Sequence, residues 1–543
     1  MNKVAQYLQE HLIGEVMTST DAREYFSTDG SIFKVTPQII VYPRAENDVR
    51  KATRFAWQLA ERGRTIPVTA RGSGTDQGGA AIGSGIMIVF PAHMNKIVAL
   101  DSNKGMMVVQ PGLNYGKLQQ TLQTHGIFLP PYPASLEYTT IGGALGNNAA
   151  GEKSVKYGVT KDFVNQLRVV LSNGEVITTG RLSKRELSKK MGQATFEGEI
   201  YRAMDALLSD NRDLLEQSRP RTSKNATGYD LWSVRAKDGS VDLTPLFVGS
   251  QGTLGIITEA RLESEPYNPK TTLLVGFFDS IEQAGMAVNK LRGLEPSAIE
   301  MVDDNLLKFI DANNPNQLNK VIQKPFPKVV LLVEFDDPLK RVQARRSKKA
   351  KKILQEFAQD FRISQDEHEQ EDLWKIRHSA AAIFWHDTAS KKALPIIEDG
   401  IVPPEKLAEF LQKIYALFKE FDLDVAVWGH AGNANLHMQP FLDLNQLGDR
   451  QKVFKLMNAY YQMVIDMGGS TSAEHNDGRL RGPYLKLLYG AELYELFKKV
   501  KQLFDPYNTL NPGVKIDVSL QDLQGIMRHD FKMTHEYDHM PRT

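Results

Sequence analysis

The sequence predicts an α+β fold with two large domains. Short apolar runs bounded by glycine or proline alternate with longer segments of helical spacing, from about Val35 and again from about Thr271. A chain of 543 residues, of which 41% are hydrophobic, is also long enough for several buried cores. We therefore divide the chain into a helical lead-in, two α+β domains and a surface tail, at residues 1–33, 34–268, 269–515 and 516–543.

The elements of the first domain follow from the spacing of its apolar residues. Residues 39–42 form an apolar run closed by Pro43, which predicts a strand, whereas residues 47–62 repeat apolar side chains with the period of a helix. Glycine and proline turns separate the next strand-like segments, which are 66–70, 85–90, 106–110 and 166–171.

The second domain repeats this alternation. Residues 273–278 and 329–335 are predicted strands, and Ser280 is a candidate N-cap for a helix over 280–294. The remaining elements are helices from about Pro338 to 358 and around 373–385, a strand over 424–428, and a second strand after a turn. This order suits an antiparallel sheet that helices cover on one face, as in ferredoxin-like layers.

Charge and cysteine content exclude several classes of function. The 66 Lys and Arg residues nearly cancel the 65 Asp and Glu residues, so no global field favours nucleic acid or anionic lipid. The chain has no cysteine, which excludes disulfides, cysteine-ligated zinc and iron–sulfur clusters within these residues. Residues 1–17 lack the apolar core of a signal peptide, and no apolar run is long enough for a membrane span. We therefore expect a cytoplasmic protein.

One local charge run departs from this balance. Residues 340–352 hold eight Lys or Arg among thirteen residues, within a helical pattern. Such a run is typical of a solvated helix face, and it also suits a patch that docks an acidic partner or the inner face of a membrane. Both interpretations stay open from the sequence.

Three glycine-rich segments indicate a binding site for a large ligand. The first, 69–79, follows an apolar strand, and its glycines allow consecutive amides to form an anion-binding nest. Its pattern matches neither the Rossmann nor the P-loop signature, and alone it is equally compatible with a plain glycine loop. The second, 130–162, is glycine-dense and poor in charge, so a flat cofactor could pass close to its backbone. The third is 247–258.

In order and spacing, these segments resemble the PCMH-type FAD-binding domain of the vanillyl-alcohol oxidase and p-cresol methylhydroxylase superfamily. In particular, they resemble the branch of D-lactate, glycolate and D-2-hydroxyglutarate dehydrogenases, over roughly 35–515. It implies non-covalent FAD, because Thr75 stands where some members link the flavin to a histidine. The implied FAD contacts are Arg71, Gly72, Ser73, Gly74, Thr75, Asp76, Thr140, Gly142, Gly143, Asn147, Asn148, Gly151, Gly158, Gly252, Ile256 and Asn511.

Two later segments contain histidines at suggestive spacing. His430 and His437 flank a predicted hairpin turn, and Glu474 and His475 follow in the segment 468–481. Two imidazoles and a carboxylate commonly bind a divalent ion, although separate structural histidines would show the same spacing. The resemblance implies that His430, His437 and Glu474 bind Zn²⁺ or Mn²⁺ and that His475 is the base for the hydroxyl proton.

The motifs depart from the family at two places. Asn433-Ala434-Asn435 replaces the usual Asp-Gly-Asn, and Asn476 replaces the glycine that usually follows the base. Both changes affect the loops that hold the presumed metal ligands, so substrate range and loop geometry are open.

Basic residues are the candidates for binding a substrate carboxylate. Arg377 matches the family's carboxylate-binding arginine, and a guanidinium can donate two parallel hydrogen bonds to a carboxylate, although an ordinary helix-surface arginine would look the same. Lys391 and Lys392 are weaker candidates for a second carboxylate.

These features predict an FAD-dependent dehydrogenase that oxidises a small D-2-hydroxy acid, such as D-lactate, glycolate or D-2-hydroxyglutarate. Its reduced flavin would pass electrons to a quinone, an electron-transfer flavoprotein or a separate iron–sulfur subunit, and a homodimer is one assembly that this interpretation allows. Two alternatives remain: an FAD oxidase of a phenol, sugar or ether lipid, and a non-catalytic flavin-binding subunit of a larger complex.

Overall fold

The structure is a computed structural model that describes residues 3–313, 318, 321–380, 391–529 and 531. The helices of the first half are α1 (Lys3–His11), α2 (Thr20–Tyr25), α3 (Glu46–Glu61), α4 (Tyr115–Thr124), α5 (Ile141–Asn147), α6 (Ser154–Tyr157), α7 (Lys184–Met191), α8 (Phe196–Asp210), α9 (Arg212–Gln217) and α10 (Thr244–Phe247). Its strands are β1 (Glu15–Met17), β2 (Ile39–Tyr42), β3 (Val68–Arg71), β4 (Ile86–Val89), β5 (Ile97–Asp101), β6 (Met106–Val109), β7 (Ile127–Phe128), β8 (Val164–Val170), β9 (Val176–Thr178), β10 (Ile256–Glu263) and β11 (Glu265–Pro266).

The second half contains helices α11 (Ile281–Arg292), α12 (Asp304–Asn313), α13 (Lys340–Phe357), α14 (Glu367–His378), α15 (Leu407–Glu420), α16 (Leu447–Asp466), α17 (Leu485–Phe504) and α18 (Leu520–Ile526). Its strands are β12 (Thr272–Phe278), β13 (Ala298–Asp303), β14 (Val329–Phe335), β15 (Asp360–Ser364), β16 (Lys392–Ala393), β17 (Val427–His430), β18 (Asn435–Met438) and β19 (Phe441–Leu442). The mixed α+β prediction is confirmed. Predicted strands 39–42 and 329–335 match β2 and β14, and Ser280 caps α11 by accepting from Gln283 N.

Two sheets form the first half. In the order β1-β2-β4-β3, the strands β2, β4 and β3 run parallel, with Val68 opposite Ile86, and α3 packs its apolar face against them. The second sheet is antiparallel in the order β5-β6-β10-β8-β9. The glycine-rich loop begins where β3 ends, so the parallel sheet presents that loop at its carboxyl edge.

The second half is built on one antiparallel sheet of order β15-β12-β14-β13-β17-β18. Every residue of β12, β13 and β14 is buried. One face packs with α11, α13 and α15, and the other packs with α12 and α14. The expectation of a sheet covered on one face is therefore wrong. The continuous apolar runs of these strands, which do not alternate with polar residues, are the reason that both faces are buried.

The ends of the chain differ from the sequence expectation. The lead-in contains β1 as well as helices, because β1 pairs with β2 at the edge of the first sheet. Helix α17 packs into the core of the first half through side chains such as Phe497 and Phe504, so residues of the predicted second domain return to the first. The expected surface tail includes α18, whose Leu523 is fully buried. Residues 381–385 of the expected helix around 373–385 lie outside the described residues.

Among the described helices, none combines the length and the apolar character that crossing a membrane requires.

Candidate active site

A cavity of about 450 Å³ lies between the two halves of the molecule. The first half lines it with residues of all three glycine-rich segments, including Gly74, Asn147 and Gly252. The second half contributes side chains from α14, β17, β18 and the 474–475 loop. A volume of this size at the junction of two halves is typical of a binding site for a small molecule or cofactor.

The first glycine-rich loop leaves its backbone amides available to the cavity. Asp76 folds the loop, because its Oδ2 accepts hydrogen bonds from Gly78 N (3.0 Å) and Ala80 N (2.7 Å). Gly74 adopts a left-handed φ of 86°, which a side chain would strain. Within the described part of the chain, the amides of residues 73–77 donate to no protein acceptor. Such a run of amides fits an anionic group such as a pyrophosphate.

A chain of side-chain hydrogen bonds ties the three glycine-rich segments together. Asn147 donates to Asp76 Oδ1 (3.0 Å), and Gln251 donates to Asn147 Oδ1 (2.9 Å). Asn511 braces the same region from behind, where its Nδ2 donates to Ala80 O (2.9 Å) and Gln251 O (2.8 Å). The loops around the cavity are therefore held rigidly to one another.

Small residues leave room for a flat ligand along the cavity wall. A Cβ added at Gly143 would meet only Thr140 Oγ1, at 3.3 Å, and one added at Gly252 would meet only Ala70 Cβ, at 3.8 Å. Both glycines line the cavity, so side chains at these positions would project into it. Open walls next to free amides fit FAD, with its flat ring system and its pyrophosphate.

Twelve of the sixteen residues predicted to contact FAD line this cavity. They are Arg71, Gly72, Ser73, Gly74, Thr75, Asp76, Thr140, Gly142, Gly143, Asn147, Gly252 and Ile256. The other four are not among the described residues that line it. Asn148 accepts from Lys161 N, a Cβ at Gly151 would stand 1.9 Å from Tyr132 O, one at Gly158 would stand 2.4 Å from Asp162 Oδ2, and Asn511 is the brace described above.

The predicted metal ligands meet at one carboxylate oxygen. Strands β17 and β18 pair so that the rings of His430 and His437 lie 5.2 Å apart. Glu474 Oε1 is 3.1 Å from His430 Nε2, 3.2 Å from His437 Nε2 and 3.6 Å from His475 Nε2. The other oxygen of Glu474 accepts from Lys224 Nζ at 2.6 Å, in a pair that is almost fully buried.

The other ring nitrogen, Nδ1, of each of the three imidazoles already contacts an acceptor within the protein. His430 Nδ1 lies 2.7 Å from Glu300 Oε1, His437 Nδ1 lies 2.7 Å from the Glu398 carbonyl oxygen, and His475 Nδ1 contacts Glu398 Oε2. These acceptors require a hydrogen on Nδ1, so in the neutral tautomer every Nε2 presents a lone pair toward Glu474. Lone pairs that converge with a carboxylate oxygen fit a divalent cation, for which imidazole nitrogens and a carboxylate are a common ligand set.

The pKa shifts of His437 and Glu474 also favour a bound positive charge in the cluster. Burial by itself would lower the pKa of His437, but Glu398 and Glu474 raise it to about 10. Burial by itself would raise the pKa of the Glu474 carboxyl, but His430 and Lys224 hold it well below its usual range. The cluster thus contains an excess of carboxylate charge that a positive group stabilises, whether a proton or a metal ion.

Asp399 fixes the loop that presents Glu474 and His475. Its Oδ2 accepts hydrogen bonds from the amides of Ala473 (3.1 Å), Glu474 (3.1 Å) and His475 (2.8 Å). Asp399 also groups with His437, Glu474 and His475 as residues whose ligand atoms lie within 4.8 Å of one another. Its engagement with three amides makes it a loop anchor as well as a candidate ligand.

Arg377 reaches the same cavity from the end of α14. The residue is 6% exposed, and its Nε donates to Glu300 Oε2 at 2.7 Å. Within the described residues, its two terminal nitrogens have no protein acceptor, which leaves them available to a carboxylate. Lys391 is exposed, and neither Lys391 nor Lys392 belongs to the part of the cavity wall that the structure describes.

Sequence reasoning missed five charged residues that surround the cluster, namely Lys224, Glu300, Glu398, Asp399 and Arg481. The sequence does mark three of these residues, because they stand in or directly after apolar runs. Glu300 interrupts an apolar strand, and Glu398-Asp399 follows the apolar run Ile396-Ile397. Charged residues in such runs are costly to bury unless they are paired. Lys224 and Arg481 stand in polar surroundings, and nothing in the local sequence distinguishes them.

The two departures from the family pattern occur at left-handed backbone positions. Ala434 has φ 53° and Asn476 has φ 67°, where a glycine is the usual residue. Asn476 also uses its side chain, since Nδ2 donates to Asn147 O and Gly249 O, both at 3.0 Å. Asn476 therefore joins the loop of Glu474 and His475 to the second and third glycine-rich segments.

Two domain families match the chain. Residues 37–180 match the FAD binding domain, and residues 268–514 match the C-terminal domain of FAD linked oxidases.

Similar proteins are known in sequence and in structure. The chain is 30% identical to D-2-hydroxyglutarate dehydrogenase of Escherichia coli (strain K12) over 527 residues, which are 94% of this chain and 51% of that protein. It is 28% identical to the glycolate oxidase subunit GlcD of Bacillus subtilis (strain 168), with 89% of each chain covered. The 4-ethylphenol oxidase from Gulosibacter chungangensis superposes with a TM-score of 0.68 at 16% identity, covering 96% of this chain and 97% of that one. The chain spans about half the length of the D-2-hydroxyglutarate dehydrogenases that it matches.

Proposed function

Because the chain belongs to the FAD linked oxidases, we propose that it is an FAD-dependent dehydrogenase that oxidises a small D-2-hydroxy acid to the 2-oxo acid. The observation that supports this most directly is the meeting of His430, His437 and His475 at Glu474, in the same cavity as the glycine-rich loops. D-lactate, glycolate and D-2-hydroxyglutarate are the proposed substrates.

The first half of the molecule would hold FAD without a covalent bond. The amides of residues 73–77 suit its pyrophosphate, and the glycines at 143 and 252 leave room for its rings. FAD, when bound, supplies an acceptor for the hydrogen on C2 of the substrate, which leaves with its electron pair. The residues around the cavity would hold the cofactor and the substrate in a fixed relative geometry for this transfer.

We assign the remaining proton to His475. This imidazole lines the cavity, its Nδ1 is held by Glu398, and its Nε2, which lies 3.6 Å from Glu474 Oε1, would accept the hydroxyl proton. His430, His437 and Glu474 would hold Zn²⁺ or Mn²⁺. When bound, such a cation would supply positive charge that makes the substrate hydroxyl more acidic. Loss of the hydroxyl proton and of the C2 hydride converts the alcohol into the 2-oxo group.

Arg377 would bind the substrate carboxylate through its terminal nitrogens. Its burial strengthens such a pair, because little water competes for the guanidinium. Glu300 connects Arg377 to the histidine cluster, because its two oxygens contact Arg377 and His430.

The experiment that tests this function is anaerobic reduction of the bound flavin. Purified protein is mixed with D-lactate, L-lactate, glycolate, D-2-hydroxyglutarate and D-malate, with and without prior chelation. We expect a D-hydroxy acid to bleach the flavin band and chelation to abolish the bleaching. Bound FAD that no hydroxy acid reduces would contradict the dehydrogenase, and metal-independent oxidation of a phenol would support the oxidase alternative instead.

The reduced flavin must then be reoxidised by another molecule. None of the 543 residues is cysteine, so these residues do not ligate an iron–sulfur cluster through sulfur. We propose a quinone, an electron-transfer flavoprotein or a separate iron–sulfur subunit as the acceptor.

The helix α13 is the proposed contact with an anionic membrane surface. Seven of its eight basic residues in 340–352 are exposed, and only Arg346 forms ion pairs among the described residues, with Glu295 and Asp337. Its buried residues Gln343, Ser347, Ala350 and Leu354 lie on the opposite face. Exposed Leu339 precedes the helix and would add an apolar contact.

A further inference from the structure

We propose that Glu300 is a positioning residue that holds both Arg377 and His430, so that one buried carboxylate sets the spacing between the carboxylate-binding arginine and the metal ligands. The proposal rests on the function proposed above and extends it to a residue that does not itself line the described cavity.

Glu300 stands where a charge is costly. It lies in the middle of β13, its side chain is fully buried, and its neighbours Ile299 and Met301 are core residues. A carboxylate in an apolar strand is stable only when its oxygens are fully paired. Burial of the Glu300 carboxylate is therefore unfavourable by itself, and its hydrogen-bond partners indicate its role.

Each oxygen of Glu300 serves a different side chain. Oε1 lies 2.7 Å from His430 Nδ1, and Oε2 accepts from Arg377 Nε at 2.7 Å. The first contact keeps the hydrogen of His430 on Nδ1 and turns Nε2 toward Glu474. The second contact uses the side of the guanidinium, which leaves the terminal nitrogens of Arg377 for a ligand.

A rigid strand makes this arrangement precise. Glu300 pairs in register with Leu332 of β14, and the next residue, Met301, lies opposite Gly429, which precedes His430. Glu300 and His430 are thus fixed by one sheet, while Arg377 is drawn to that sheet from α14. A 2-hydroxy acid presents its carboxylate and its hydroxyl on adjacent carbons, so the two binding groups must keep a fixed separation.

A glutamine at this position tests the role with little change in shape. Glu300→Gln retains one acceptor oxygen but turns an amide N–H₂ toward the other donor, so it can satisfy only one of the two partners. Glu300→Ala removes both contacts. The matched control is Asp303→Asn on the same strand, which changes an equally buried carboxylate that accepts from Leu306 N and Tyr415 Oη and, among the described residues, bonds neither Arg377 nor His430.

Two affinities are measured on the FAD-loaded proteins after chelation. Mn²⁺ binding is followed by titration calorimetry, and oxalate binding at saturating Mn²⁺ is followed by the change in flavin absorbance. We expect Glu300→Gln to weaken at least one of these affinities by about 10-fold or more, and Glu300→Ala to weaken both. Asp303→Asn should leave both unchanged.

The outcomes separate this inference from the proposed function. Unchanged affinities in folded, FAD-containing Glu300 variants would overturn the positioning role, as would wild-type protein that binds no Mn²⁺. If Glu300→Ala does not retain FAD, the two affinities of Glu300→Gln alone decide whether Glu300 has the positioning role. Wild-type protein that binds Mn²⁺ but is reduced by no hydroxy acid would refute the proposed activity, while weakened binding in Glu300→Gln would still support the inference.

Discussion

At the scale of single residues, the site depends on buried charges that are paired. Asp399 holds three successive amides, Lys224 occupies one oxygen of Glu474, and Glu398 holds His475 and Arg481. Burial alone would raise the pKa of Glu398, but His475 and Arg481 keep it below its usual range. These residues fix the orientation and the protonation of groups that reach the cavity.

Asn476 shows how one residue meets both a backbone and a side-chain requirement. We expect Asn476→Gly to cost about 2 kcal/mol of unfolding free energy, because its hydrogen bonds to Asn147 O and Gly249 O are lost. Asn476→Ala should cost about 1 kcal/mol more, since alanine is strained at φ 67°. Urea unfolding of the three proteins measures both values. An alanine variant as stable as the glycine variant would contradict the backbone argument.

At the scale of elements, a buried carboxylate begins α12. Asp303 is fully buried, its Oδ1 accepts from Leu306 N (2.8 Å), and its Oδ2 accepts from Tyr415 Oη (2.9 Å). Burial raises the pKa of Asp303 to about 7, although the hydrogen bonds from Leu306, Val427 and Tyr415 oppose the shift. The helix start is therefore tied to a group that titrates near neutral pH.

This raised pKa predicts a pH dependence of stability. The unfolded chain releases the Asp303 proton near the ordinary aspartate pKa of 3.8, whereas the folded chain keeps it up to about 7, so stability falls as pH rises across that window. Asp303→Asn should remove this fall, on the order of 2–4 kcal/mol in total. Unfolding free energies between pH 4 and 8 measure the difference. If the unfolding free energies of wild type and Asp303→Asn changed in the same way with pH, this role of Asp303 would be contradicted.

Tyr415→Phe provides the matched variant for the same profile. The Tyr415 hydroxyl donates to Asp303 Oδ2, so its removal should raise the pKa of Asp303 further. We expect the fall in stability to extend to higher pH in this variant than in wild type.

The basic face of α13 predicts binding to anionic membranes. Arg341, Arg345, Lys348 and Lys352 lie opposite the buried face, and their combined change to Gln should lower binding to phosphatidylserine vesicles at least about 10-fold. The control changes four exposed cations elsewhere, Lys184, Arg185, Lys189 and Lys499. Co-sedimentation at low and high salt measures both. Equal losses in the two variants would contradict a specific role of α13, and no vesicle binding by wild type would favour an acidic protein partner.

At the scale of the whole molecule, ion pairs join the two halves beside the cavity. Lys156 Nζ lies 2.5 Å from Asp336 Oδ1, Tyr157 donates to Asp336 Oδ2 at 2.9 Å, and Lys153 contacts Glu334. The residues of the first half belong to α6 and its N-terminal flank, and their partners belong to β14 or follow it. These pairs hold the flavin side of the cavity against the histidine side.

A double-mutant cycle tests this junction. Asp336→Asn should cost about 1–3 kcal/mol of unfolding free energy, because Lys156 and Tyr157 lose a charged acceptor. Lys156→Met should cost less in the Asp336→Asn background than in wild type. Chemical unfolding of the four proteins gives the coupling energy. Fully additive losses would show that the pair does not contribute to holding the halves together.

Patterns among neighbouring residues are sufficient to predict several local elements of this protein. The apolar runs of β2 and β14, the cap at Ser280 and the three glycine-rich segments depend on neighbouring residues, so the sequence alone predicts them. The same holds for His430 and His437, because a hairpin brings residues seven apart onto the same face of its two strands. The matches of residues 37–180 and 268–514 confirm the FAD binding and FAD linked oxidase domains that these motifs indicated.

Only the tertiary structure decided which distant charges meet. Lys224 and Glu474 are 250 positions apart, and Glu300 reaches His430 across 130 positions. No local period encodes such contacts, since they arise when separate strands and loops pack. Packing also decided that both faces of the second sheet are covered and that α17 returns to the first core. An apolar pattern specifies that a surface must be buried but leaves open which part of the chain will bury it.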